Sequence, residues 1–262
     1  MADTKISGLT SGNPAQTGDL LAIARSGSSL SVTASSIAAL ATAGKLINIQ
    51  VLTSTSSNST YTPTAGTTSF VAELIGGGGA GASNNGNANN KYAEGGGGAG
   101  AWVCYFNSSP AASYLYSCGT AGAAVANASG GSGGNTIFGN ASNNCAYGNA
   151  GGGGGATAVG NGTTTQSGAA GGTGGVVNTG LFGFNGQDGE PGFRSNNASN
   201  VQVGGPGGSA PRGGQGGVGQ VGSFVSPKSG GNYGGGGGGA AGNNNTIAGS
   251  GAQGVIIIYE FS

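Results

Sequence analysis

The sequence predicts an all-β protein: a small β-sandwich with very long glycine-rich loops, preceded by a small N-terminal segment with one short helix. Three observations carry this. Glycine fills 64 of 262 positions and gathers in runs, notably Gly76–Gly79, Gly95–Gly98, Gly151–Gly155 and Gly234–Gly239. Apolar segments of strand length bracket the runs, the last being Val255-Ile-Ile-Ile-Tyr-Glu-Phe261. Only one stretch, the alanine-rich octet Ala34–Ala41, has helical composition.

Residues 1–44 are poor in glycine and read as a separate segment. Leu20–Ala24 is a short apolar run, Gly27-Ser28-Ser29 a turn and Leu30–Thr33 a short strand. Thr33 suits the N-cap of a helix over 34–41, and Gly44 its end. So short a segment buries little core alone, which points to oligomerisation or docking.

Residues 45–262 form the second region. Ile47, Ile49 and Val51 alternate with Asn48 and Gln50, the pattern of a half-buried strand. Tyr61-Thr62-Pro63 and Ala65-Gly66-Thr67 read as a turn. Phe70–Ile75 is a strand with Phe70, Ala72 and Leu74 on one face, because side chains alternate along a strand. Trp102–Phe106 and Tyr114–Cys118 follow, separated by a turn at Ser108-Ser109-Pro110. The closing strand is apolar on both faces and belongs at the centre of a sheet.

Between Gly119 and Gly254 only short apolar islands interrupt the glycine: Thr136–Phe138, Val176-Val177, Leu181-Phe182, Val201–Val203 and Val218–Val225. Two readings of this tract compete, and the expected one is packed polyglycine II helices. A free linker suits glycine because ordering it costs the most backbone entropy. The other reading packs the runs as extended helices of three residues per turn, bonded to each other rather than within themselves, as in collagen. Gly186-Gln-Asp-Gly189-Glu-Pro-Gly192 resembles collagen triplets but is too short for a triple helix, so it reads as an extended loop.

Charge and motifs exclude several functions. The chain carries seven acidic and seven basic residues and no histidine. Scattered basic residues give no phosphate-binding patch, so nucleic acid is not an expected partner. No stretch approaches 18 apolar residues, so no membrane insertion is expected, and the opening Met1-Ala-Asp-Thr-Lys5 lacks the features of a secretion signal. Synthesis in a cytosol makes Cys104, Cys118 and Cys145 free thiols. Cys104 and Cys118 could face each other across a hairpin, but the expectation is two small buried apolar residues. Without histidine or a Cys-x-x-Cys pair, neither a metal site nor a histidine-dependent nucleophile is available. Gly76-x-Gly78-x-x-Gly81 follows a strand but leads into an asparagine-rich stretch, not the helix a dinucleotide site needs. Asp188 and Glu190 are the one close acidic pair and read as solvated. The expectation is no enzyme, no cofactor and no metal.

Aromatic residues inside the glycine region are the candidate binding groups: Tyr92, Tyr147, Phe182, Phe184, Phe193 and Tyr233. Aromatics stack on sugar rings and anchor interfaces at low entropy cost. They serve equally well as a minimal core between glycine runs, and both readings stand. Asparagine and glycine surround Tyr92 and Tyr233, which favours exposure for these two.

Two resemblances extend this reading. Lys5-Ile-Ser-Gly-Leu-Thr10, Gly18-Asp-Leu-Leu-Ala-Ile-Ala-Arg25 and Ser31-Val-Thr33 resemble the N-terminal segment of tailed-phage virion proteins, tail fibres above all. Tyr61-Thr-Pro63, the strand Phe70–Ile75 running into Gly76–Gly79, the strands around Trp102 and Leu115, and Gly251–Glu260 resemble the glycine-rich domain of phage tail proteins. The composition is also similar to fibre-tip adhesins whose packed polyglycine helices carry receptor-reading loops. The resemblance implies a virion protein, assembled in a host cytoplasm, that joins other tail proteins through residues 1–44. It implies a homotrimer that reads a host-surface polysaccharide or outer-membrane protein. The alternative is a structural virion component, a decoration or fibre-shaft protein, with no receptor of its own.

Overall fold

The computed structural model describes residues 20–25, 28–33, 44–57, 59–84, 92–139, 148–150, 169–194, 201–222, 225–242 and 246–262. The fold is all-β, and its described elements are sixteen strands. They are β1 (Leu20–Arg25), β2 (Ser28–Thr33), β3 (Leu46–Leu52), β4 (Ser59–Tyr61), β5 (Ser69–Ile75), β6 (Tyr92–Ala93), β7 (Trp102–Asn107) and β8 (Tyr114–Ser117). The remainder are β9 (Thr136–Phe138), β10 (Gly148–Ala150), β11 (Val177–Thr179), β12 (Phe182–Phe184), β13 (Phe193–Arg194), β14 (Gln202–Val203), β15 (Ala241–Gly242) and β16 (Val255–Phe261).

In the N-terminal segment β1 and β2 form an antiparallel hairpin that pairs Arg25 with Ser28. Ser28 and Ser29 therefore belong to a strand and not to the expected turn. The helix expected over 34–41 lies outside the described residues.

Two five-stranded antiparallel sheets make the sandwich, in the orders β11-β10-β9-β8-β4 and β12-β7-β5-β16-β3. Phe70, Leu74, Val103, Tyr105, Ile256 and Ile258 from the second sheet meet Tyr61, Tyr114 and Phe138 from the first. The core is aromatic: Phe70 meets Tyr114 edge-on at 5.3 Å, and Tyr114 stacks on Phe138 at 5.1 Å. Such pairs add about 0.5–1.5 kcal/mol beyond their burial. Phe70, Ala72 and Leu74 share the inward face as expected, and β16 lies between β5 and β3. The islands Thr136–Phe138, Val176-Val177 and Leu181-Phe182 supply β9 and parts of β11 and β12. Tyr61 ends strand β4, so the turn is confined to Thr64–Thr67, where the Thr67 amide donates to the Thr64 carbonyl.

β3 is a strand, but its faces are the reverse of what alternation suggests. Ile47, Ile49 and Val51 are 36, 49 and 56% exposed, while Asn48 and Gln50 are half-buried. The polar pair is drawn inward by a buried carboxylate. Glu260 of β16 is fully buried and accepts from Tyr61 Oη at 2.6 Å, the Thr64 amide at 2.9 Å and Gln50 Nε2 at 3.1 Å. Its other oxygen accepts from Thr64 Oγ1 at 2.6 Å, and Asn48 Nδ2 donates to that hydroxyl.

The glycine runs prolong the strands of the sandwich as a packed lattice of extended helices, which decides between the two readings of the tract. Along Gly76–Ser83 successive amides visit three neighbours in rotation. Gly76, Gly79 and Ala82 donate to Ala101, Gly98 and Gly95; Gly77, Ala80 and Ser83 to Gly134, Gly131 and Ala128; Gly78 and Gly81 to Ala252 and Gly249. This three-residue repeat is that of the three-per-turn extended helix. Gly234–Gly239 lies at the centre. Gly237, Gly236 and Gly235 donate to Gly79, Gly208 and Gly231, and the carbonyls of Gly237, Gly236 and Gly238 accept from Gly97, Gly217 and Gly249. Six runs thus surround it, and each amide of Gly234–Gly239 finds the partner that burial demands.

Glycine content tracks depth in this lattice. Every residue of 76–84, 93–101 and 234–241 is buried. Runs on a face of the lattice expose every third residue: Pro206 and Ser209 in one, Val218 and Val221 in another. Gly186-Gln-Asp-Gly189-Glu-Pro-Gly192 is a corner run, in which the residues between the glycines are exposed. A Cβ on Gly186, Gly189 or Gly192 would lie 2.2, 2.0 and 2.2 Å from the carbonyl oxygens of Ala99, Gly96 and Ala93. The collagen-like triplets are therefore part of the lattice and not a loop. Gly151–Gly155 lies outside the described residues.

β7 and β8 belong to different sheets, so Cys104 and Cys118 do not face each other across a hairpin. Both are free and buried. The Cys118 Sγ donates to the Leu52 carbonyl, and burial pushes its thiol up to about 11. Burial raises the Cys104 thiol as well, with the Glu73 charge adding to it. Cys145 lies outside the described residues. Native protein is expected to alkylate slowly at Cys104 and Cys118, and denatured protein fully at both without reductant. Mass spectrometry reads this, and a surviving link between them would contradict it.

Candidate interaction surface

The six candidate aromatics do not form one site. Phe182 and Phe184 stand at one edge of the second sheet, on β12, and are 52 and 61% exposed. Pairing with Cys104 and Trp102 of β7 puts them on the face turned away from the sandwich core. Gly183 between them is pressed on the Trp102 carbonyl, where a Cβ would lie 2.4 Å away. Phe184 stacks on Trp102 at 5.8 Å and Phe182 meets it edge-on at 5.3 Å. Arg212 lies over the same indole, 5.2 Å from its ring centre, and pairs with Glu73 at 3.4 Å. Trp102 itself is 1% exposed, so it supports the two phenylalanines and is not open to a ligand.

Tyr233 is half-buried and packs against the cluster of Ile75, Trp102, Ala210 and Val255. Sequence context favoured its exposure, but the end of the lattice needs an apolar filler where it meets the sheet. Phe193 is 60% exposed on β13, at the far end of the lattice. Tyr92 lies on β6 at the same end, paired with Gly242 of β15. The side chain of Tyr92, and Tyr147 as a whole, lie outside the described residues.

The far end is built by polar side chains, two amides and a hydroxyl, which the sequence reading missed. Extended helices that stop in the interior leave amides and carbonyls without neighbours, and a side chain must supply them. Asn84 Oδ1 accepts from the Thr246 amide at 2.8 Å, and Ser83 Oγ from the Ala248 amide at 3.0 Å. Gln220 Oε1 accepts from the Ala241 amide at 2.7 Å while its Nε2 donates to the Gly222 carbonyl at 2.8 Å. Ser83, Asn84 and Gln220 are all buried. Their position directly after glycine runs was the available signal. Among the described residues no group of three Cys, Asp or Glu could hold a metal ion.

A family model, described as a glycine-rich domain, matches residues 53–260. The chain belongs to that glycine-rich domain family. The matched region runs from just after β3 to Glu260, one residue short of the end of β16, so it takes in the aromatic core of the sandwich and every described run of the lattice. In this glycine-rich domain the Glu260 carboxylate joins the matched region's two ends, since Tyr61 and Thr64 lie near its start. No curated protein matches the chain.

Proposed function

We propose that the chain is a phage tail-fibre or fibre-tip protein that binds a host surface with the far end of its lattice and joins the particle through residues 1–44. One observation carries the reading. The lattice is a scaffold held by backbone bonds on all sides, and it presents exposed Phe193 at the end away from the sandwich. At about 3.1 Å per residue, a run of eight residues places that end about 25 Å from the sheets. A group fixed in this way loses little freedom on binding, so more of its contact energy reaches affinity. The connections leaving this end are rich in asparagine in sequence: Asn85–Asn90, Ser195–Asn200 and Asn243–Asn245. Amides beside aromatics suit the hydroxyls and ring faces of a polysaccharide, and they suit the loops of an outer-membrane protein as well.

The test is binding of labelled full-length protein to a panel of bacterial strains. Binding to a subset is expected, with at least tenfold loss on Phe193→Ala at unchanged melting temperature. Binding to no strain, or binding indifferent to Phe193 and Tyr92, overturns the reading in favour of a structural virion component. Prior removal of surface polysaccharide or of surface protein separates the two receptor classes.

A further inference from the structure

The outer face of the second sheet is an apolar surface that the sandwich does not use. Pairing fixes its composition. Val51 and Ile49 of β3 oppose Ile257 and Tyr259 of β16, Tyr259 opposes Val71 of β5, and Val71 opposes Phe106 of β7. Phe182 and Phe184 complete it on β12. The lattice end covers the part around Ile75, Trp102 and Val255. Beyond that, Ile49, Val51 and Phe106 are 49, 56 and 49% exposed.

We infer that this face is the contact surface for a second copy of the same chain. Two features choose that occupant. The first is charge. The acidic group within the strands of the face is Glu73, whose side chain is 14% exposed and is neutralised by Arg212. A face without free charge offers nothing to a charged partner and nothing to repel its own copy. In a two-fold contact the same patch meets itself, so a neutral apolar patch is its own complement. The second is area. Phenylalanines cover roughly 150–250 Å² each when buried, so Phe106, Phe182 and Phe184 at about half exposure, with the smaller Ile49 and Val51, leave on the order of 500 Å² of apolar surface. A monomer rarely exposes more than a few hundred Å² as one patch, and a stable interface takes about 800 Å² per partner. Covering the exposed part of the face therefore supplies most of an ordinary dimer contact. The proposal stands apart from receptor binding at the far end of the lattice.

Light scattering on the full-length chain at micromolar concentration is the test. The wild type is expected to be a dimer or a larger assembly, and Ile49→Lys with Val51→Lys is expected to lower its order. Leu115→Lys, on the outer face of the other sheet, is expected to leave the assembly unchanged. Circular dichroism melts confirm that each variant folds; if the double change prevents folding, Phe106→Glu replaces it. A monomeric wild type overturns the inference, whether or not the protein sediments with phosphatidylcholine vesicles. So does an assembly that survives the face variants, which would assign it to another surface such as residues 1–44.

Discussion

Gly236→Val is expected to prevent folding or to lower the melting temperature by tens of degrees. Gly236 sits in the central run, and a Cβ there would lie 2.0 Å from the Gly97 carbonyl oxygen and 2.7 Å from the carbon behind it. Both are backbone atoms of a buried run, so no side chain can rotate away. The neighbouring run would have to move, and it is itself bonded to Gly79, Gly237 and Gly208 through Gly98 and Gly97. Overpacking a core costs about 1–3 kcal/mol when side chains adjust, and this site lacks that adjustment. Gly97→Ala adds one methyl against the Gly79 carbonyl, 2.2 Å away, and is expected to be nearly as damaging. Thr173→Val is the control. Thr173 occupies the exposed third position of a run on the lattice surface, where a change is expected within about 0.5 kcal/mol. A wild-type melt for Gly236→Val would mean that the runs do not pack in solution.

Glu260→Gln is expected to destabilise the fold at neutral pH and to remove most of its acid sensitivity. Burial alone would raise the Glu260 carboxyl, but hydrogen bonds from Thr64 and Tyr61, with Asn48 assisting, outweigh it and hold the group below its ordinary value of 4.5. Burial and the adjacent carboxylate together raise the Tyr61 hydroxyl, so it stays a donor throughout the accessible range. A depressed carboxyl contributes stability that is complete above its unfolded value and is lost as pH falls through the folded one. The loss therefore begins near pH 4.5 and deepens below it. Hydrogen bonds to a charged group contribute about 1.5–3 kcal/mol, and the amide cannot accept from every donor that the carboxylate serves. Urea titrations at pH 7 and pH 3 measure both effects. An unchanged difference between the two pH values in the variant would place the acid sensitivity elsewhere.

Much of the sandwich was legible because its strands are written in alternation and in β-branched and aromatic residues. Phe70–Ile75, Trp102–Phe106 and Val255–Phe261 are long enough for that pattern to be unambiguous. β9, β11 and β12 were visible only as apolar islands, since three residues carry too little periodicity to assign. The orientation of β3 was not legible for a different reason. Alternation says which residues share a face, not which face is covered, and a buried carboxylate 210 positions away drew Gln50 inward.

For the surface residues the sequence offered types without places. Phe182, Phe184, Phe193 and Tyr233 are all aromatics among glycines, yet they divide between a sheet face, the far end and a core cluster. The side-chain caps Ser83, Asn84 and Gln220 looked like ordinary loop residues, because their meaning comes from where a neighbouring run stops.

The sequence by itself determined that the chain is all-β, that its glycines come in runs, and that some runs carry no side chain while others carry one or two in every three positions. Those properties are read along the chain without reference to its neighbours. Only the tertiary structure decided which run lies beside which, because a three-fold extended helix bonds to no residue of its own and its partners lie anywhere in the chain. Packing six neighbours around Gly234–Gly239 is a choice made by the whole fold, and it turns a flexible composition into a rigid one.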